Sequence, residues 1–278
     1  MLYVGIVSTV SLVLFGTAYS FLLYNAHFQN WLMEWLSAKA NVIHMKEESG
    51  LKGKRFYVPR ENRDIRVNIY NDSKGEDRPA VFFAHGSQFV DSDADEWDDF
   101  CDWFAKEFDC VLFSVNYSKI GIHVTSYPQD EIQDTIRYFR AHSSEYGFRK
   151  NNFMMMGFEA GAYLSMIAGF QLLRRGIFSR GFIFVNPFVD YTNVSFAQAG
   201  YHPQPLALIT LGADEMREKW NEYSGAIRAQ DIYMREWDRP AVSKKILYAP
   251  YEKTEGQEAE DQRLLVNWLH TRFNEFAG

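Results

Sequence analysis

Asn152-Phe153-Met154-Met155-Met156-Gly157-Phe158-Glu159-Ala160-Gly161 is the stretch from which the fold is read. A short apolar run meets a pair of glycines, and an amphipathic stretch from Glu159 to Leu173 follows. The first part has the length of a buried strand and the second that of a helix. The three methionines read as flexible core filling rather than metal ligands. Gly157 and Gly161 permit a sharp turn between strand and helix, which pushes the residue between them, Glu159, out over the sheet edge.

The same alternation continues on both sides. Arg66–Tyr70 alternates in period two and reads as a half-buried strand. Ala80–Ala84 reads as a buried strand running into His85-Gly86, Asp95–Phe108 as a helix, and Cys110–Val115 as the next strand. Gln129–Tyr146 is a helical pattern with Ile132, Ile136, Tyr138 and Phe139 inward. After the central stretch come strands at Gly181–Val185 and Leu206–Leu211, a helix over Glu215–Ala229, a last strand at Lys244–Tyr248 and a closing helix over Glu258–Phe276. Such a succession specifies an α/β fold, a mostly parallel sheet with helices on both faces. Ligands on such sheets bind beyond the carboxyl ends of the strands.

The N-terminus follows a different pattern. Leu2–Tyr24 is 23 residues without a charge, and the first charged side chain is Glu34. About 20 apolar residues cross a bilayer, so the length favours a retained transmembrane helix over a cleaved signal peptide. Phe28, Trp31, Leu32, Trp35, Leu36, Val42 and Ile43 then form one stripe at helical spacing. That suits an interfacial helix or a helix packed on the following domain. The resulting division is a transmembrane helix at 1–25, an amphipathic connector at 26–50 and one α/β domain at 51–278. Lys46, Lys52, Lys54 and Arg55 favour the cytosolic or matrix side, with the mitochondrial inner membrane and the endoplasmic reticulum as candidate locations. Asn71, Asn116 and Asn193 fit the N-x-S/T pattern, which is too common to establish a luminal domain.

Composition narrows the function. With 29 basic and 36 acidic residues the net charge is −7, against nucleic-acid binding. Two cysteines, Cys101 and Cys110, make neither a disulfide framework nor a cysteine zinc site. The acidic run Asp91, Asp93, Asp95, Glu96, Asp98, Asp99 and Asp102 lacks the spacing of a calcium loop, so no metal and no cofactor is expected. Trp97 and Trp103 read as core.

The central turn has the setting of a nucleophile elbow, G-x-S-x-G, with Glu159 in place of serine. Several other pieces stand in a matching order. They are His85-Gly86-Ser87-Gln88 after a strand, Asn116-Tyr117-Ser118 after the next, Tyr127-Pro128 opening a helix, and Leu211-Gly212-Ala213-Asp214. From about Val58 to Phe276 the chain resembles the hormone-sensitive-lipase and arylacetamide-deacetylase branch of the α/β-hydrolase fold. The resemblance implies an oxyanion turn at Gly86 and Ser87 with Ala160, the elbow glycines Gly157 and Gly161, an acid at Asp214, and a base near Tyr251–Thr254, where Lys253 stands.

That pattern is degenerate. Acyl transfer by the family's route needs a hydroxyl, a base and oxyanion donors. Glu159 supplies no hydroxyl, and no histidine falls near 251–254. Glu159 is expected to plug the oxyanion pocket at a helix N-terminus, Asp214 to stabilise its own turn, and Lys253 to be an exposed loop residue. The main expectation is therefore a membrane-anchored, catalytically inactive relative serving as a structural or partner-binding subunit of a membrane complex. The alternatives are an ester or lipid hydrolase with non-standard chemistry at Glu159, or a receptor for a small lipid-like ligand.

Overall fold

Ala80–Ala84 and Val111–Val115 are fully buried and pair side by side in the middle of the sheet. The computed structural model describes residues 25, 45–61, 63–86, 92–119, 127–187, 206–209, 234–237 and 243–278. Its strands are β1 (Lys54–Val58), β2 (Ile65–Tyr70), β3 (Arg78–Ala84), β4 (Val111–Val115), β5 (Phe148–Phe158), β6 (Phe182–Val185), β7 (Leu206–Ile209) and β8 (Met234–Glu236). Its helices are α1 (Asp98–Glu107), α2 (Tyr127–Ala141), α3 (Glu159–Arg174), α4 (Lys244–Tyr248) and α5 (Gly256–Ala277). The strands form one sheet in the order β1-β2-β4-β3-β5-β6-β7-β8. The β1–β2 and β2–β4 pairs are antiparallel and all the others parallel.

Successive side chains of a strand point to opposite faces, and here both faces are dry. Phe82 and Met155 join Phe113, Phe139 and Leu164 on one side, the side of α2 and α3. Phe83, Met154 and Met156 join Phe104, Leu265 and Phe273 on the other, the side of α1 and α5. The methionine run is core, as its composition suggests, with each side chain at most 1% exposed.

Three differences from the pattern reading have physical causes. The alternation of β2 suggested one solvated face, yet all six residues are buried. Arg66 is ion-paired to Asp93, and Asn68 donates to Asp95 Oδ1 at 2.8 Å, so the polar face is covered by an acidic partner rather than by water. Lys244–Tyr248 is a helix, not a strand: Ser243 Oγ caps it by accepting from the Ile246 N–H at 3.3 Å, and Ile246 and Leu247 are buried. A short apolar run fits either element by periodicity alone. The last strand is instead β8, whose three residues are too few to carry a period.

The connector is also bound earlier than residue 51. The Lys46 N–H donates to Asp95 Oδ2 at 2.8 Å, and Arg55 Nη2 donates to the Lys46 carbonyl at 2.9 Å. The segment read as a transmembrane helix and the amphipathic stripe from 26 to 44 lie outside the described residues. Among the described residues no helix is long and apolar enough to cross a membrane.

Candidate active site

Strand β5 ends at Phe158 and α3 begins at Glu159, with no residue between. The chain reverses there through Glu159 itself, whose φ is +48°. Left-handed backbone costs an L-residue roughly 1–2 kcal/mol, least for Asn and Asp. The other described non-glycine positions of positive φ are Asn71, Ser92, Asp109 and Asn186, all with short side chains. Glu159 is the exception, and it stands where an elbow nucleophile stands.

Close approach explains the glycines. A Cβ on Gly161 would lie 2.3 Å from the carbonyl oxygens of Ala84 and His85, so only hydrogen lets α3 dock against the end of β3. Gly157 meets the backbone of Ala162 in the same way, at 2.5 Å. A Cβ on Gly86 would lie 3.0 Å from the Trp97 ring, 3.2 Å from Phe158 Cβ and 3.3 Å from Glu159 Oε2. The carboxylate therefore faces the turn after β3. Ala160 is buried in the first turn of α3, where backbone N–H groups have no carbonyl one turn back.

The turn is supported from behind. His85 is fully buried and stacks on Tyr117 with ring centroids 4.4 Å apart. The Tyr117 hydroxyl donates to the His85 carbonyl at 2.8 Å. Lys119 Nζ lies 3.2 Å from His85 Nε2. An ammonium only donates, so Nε2 accepts and Nδ1 carries the proton, directed at the Gly86 carbonyl at 3.4 Å. Burial, and then the charge of Lys119, hold this imidazole well below the usual histidine range, so it is neutral.

Tyr248 completes the site. Its hydroxyl donates to Glu159 Oε1 at 2.5 Å, and its ring packs on Phe158 and Trp97 at 5.2 and 5.5 Å. Burial, then the hydrogen bond to Glu159, push this phenol well up. The pattern reading missed Tyr248 because it placed that residue in a strand. The available signal was Ser243, a capping residue just ahead of the segment.

The structure brings Gly86, Gly157, Glu159, Ala160 and Gly161 together at the carboxyl edge of the sheet. Ser87 and Asp214 lie outside the described residues. Lys253 is exposed, and it follows the helix α4 instead of the last strand. The residues after β8 are Trp237, which is buried, and Asp238, outside the described set. The acidic run is used internally: Asp93 pairs with Arg66, Asp95 with Arg55, and Asp98 with Lys46. Among the described residues no group of three or more His, Cys, Asp or Glu side chains is arranged to hold a metal.

An esterase of Pyrobaculum calidifontis superimposes with a TM-score of 0.67 at 17% identity, over 88% of this chain and 93% of that one. The thermostable carboxylesterase EstE1, cloned from a metagenomic library, gives 0.68 at 15% identity, over 89% and 97%. A bacterial heroin esterase gives 0.66 at 14% identity, over 89% and 91%. No curated protein matches the chain. The fold is thus shared with esterases, and the expectation of an inactive structural subunit is corrected on that finding. That expectation rested on the missing hydroxyl and the missing histidine. Residues 81–259 match the family model of the alpha/beta hydrolase fold, and the chain belongs to that family.

Proposed function

We propose that the protein hydrolyses carboxylic esters, with the Glu159 carboxylate as general base in place of the serine–histidine pair. The observation that carries this reading is the left-handed backbone at Glu159. Such strain persists where surrounding structure over-determines it, and it concentrates at functional sites. The carboxylate stands at the carboxyl edge of the sheet, where ligands of such folds bind. The esterases of the same fold support the substrate class.

The chemistry needs water, one carboxylate and backbone N–H groups. Glu159 Oε2, on the Gly86 side, takes a proton from water as the water oxygen attacks the ester carbonyl carbon. The negative charge that develops on the carbonyl oxygen meets N–H groups at the start of α3, Ala160 foremost, where the helix dipole also favours an anion. On collapse the C–O bond to the leaving group breaks, and the proton held by Glu159 passes to the departing alkoxide. Acid and alcohol leave, and the carboxylate is restored. Trp97 and Tyr248, both packed on the buried Phe158, give the site an aromatic wall suited to apolar, lipid-like esters. Anchoring by Leu2–Tyr24 would hold the site near a bilayer that supplies them.

The test is hydrolysis of p-nitrophenyl esters of graded acyl length by the full chain in detergent. A positioned base contributes roughly 10²–10⁴-fold, so Glu159→Gln is expected to lower kcat at least about a hundredfold. An unchanged rate in that variant would exclude the mechanism.

A further inference from the structure

We propose that Tyr248, steadied by Asn186, is the positioning residue of the Glu159 carboxylate, a role that rests on the hydrolytic reading above. Glutamate has three side-chain torsions, one more than aspartate, and a reacting group misplaced by ~1 Å can cost about a hundredfold in rate. A long carboxylate at the elbow therefore needs an external hold. The 2.5 Å contact from Tyr248 Oη to Oε1 has the length of a hydrogen bond to an ionised acceptor. It fixes one oxygen and orients the other, Oε2, toward Gly86.

Tyr248 is itself held from three sides. The Asn186 side chain acts on its hydroxyl in the sense of a donor to the phenol oxygen, opposing the upward push. Asn186 directly follows β6 and adopts a φ of +47°, which an asparagine tolerates and which ends the strand beside the site. The phenol ring lies against Trp97 and Phe158, and α4 is anchored by the buried Ile246 and Leu247. Three elements thus converge on one carboxylate: the end of β6, the short helix α4 and the elbow. Among the described residues, the Tyr248 hydroxyl from α4 and the dipole of α3, at whose N-terminus Glu159 stands, both bear on its carboxylate. Because the phenol is pushed up, Tyr248 remains a donor across the working pH range and never competes as a base.

The experiment compares the full chain with Tyr248→Phe and Asn186→Ala. Tyr248→Phe keeps the ring and removes only the hydroxyl. The expected result is a fall in kcat of about 10–100-fold with KM within about twofold, as for lost orientation of a reacting group. Losing a donor to the charged form disfavours that form, so the acid limb of the pH–rate profile moves to higher pH. Asn186→Ala moves the limb the same way by less. A second readout needs no turnover: 13C-carboxyl NMR of glutamate-labelled protein, with the Glu159 resonance assigned through Glu159→Gln. Its titration midpoint rises in Tyr248→Phe. Unchanged midpoints in both variants would overturn the positioning role. A raised midpoint in a protein that turns over no ester would uphold the Tyr248 contact and overturn the hydrolytic reading, so the two failures are told apart.

Discussion

Glu159 shows how one residue can be legible in chemistry and illegible in context. Its position between two glycines after an apolar run marked the elbow, and its side chain excluded a hydroxyl nucleophile. The contact with Tyr248 joins residues 89 positions apart and could not be read from local pattern. The glycines are a firmer case, because their cause is steric and local. Gly161→Ala would place a methyl carbon 2.3 Å from two carbonyl oxygens, and neither belongs to a flexible side chain. Overpacking a tight interior costs about 1–3 kcal/mol and sometimes more. We expect Gly161→Ala to lose about 3 kcal/mol in urea unfolding. Ala160→Gly, one position earlier and inside a helix, should cost only about 1 kcal/mol.

At the scale of elements, the four-residue 3₁₀ turn Ala94–Trp97 and the start of α1 join two tasks. Asp95 and Asp98 hold the connector, while Trp97 forms a wall of the site. Asp98 is 1% exposed and accepts from the Lys52 and Gly53 N–H groups and from the Tyr70 hydroxyl at 3.0–3.2 Å. The pattern reading weighed the acidic run only as a calcium loop, and its spacing excluded that. It could not see that Arg55, Arg66 and Lys46 come to meet the run. Each buried polar group left unpaired costs about 1–3 kcal/mol. Asp98→Ala is expected to lower stability by about 3 kcal/mol, hence the melting temperature by roughly 10 °C. Asp99→Ala breaks the half-exposed pair with Lys52 and should cost less than about 1 kcal/mol. Equal melting points in the two variants would refute the clamp.

Over the whole molecule, the buried His85 ties site architecture to global stability. Its imidazole is neutral in the folded state because burial and Lys119 disfavour the cation. The unfolded chain takes up that proton near pH 6.5, so between that pH and the lower folded value the unfolded state binds more protons. Stability is therefore intact above about 6.5 and falls as the pH drops below it, by up to about 1.4 kcal/mol per unit. Gln at position 85 can still accept from Lys119 but does not titrate. The loss of stability from pH 8 to pH 5.5, measured by urea midpoints, should thus be smaller in His85→Gln by roughly 1 kcal/mol. An equal loss in both proteins would remove His85 as the cause.

The sequence by itself determined the alternation of strands and helices, the burial of the central strands on both faces, the elbow glycines and the absence of hydroxyl and imidazole from the reacting positions. These are properties of local periodicity, steric need and residue chemistry, and each is complete within a window of a few residues. Only the tertiary structure decided that Lys244–Tyr248 is a capped helix, that β2 is covered on its polar face, and that Tyr248 grips Glu159. Those outcomes depend on which loops the carboxyl edge of the sheet gathers. Contacts between residues 46 and 98, or 159 and 248, exist only once the strands between them have paired.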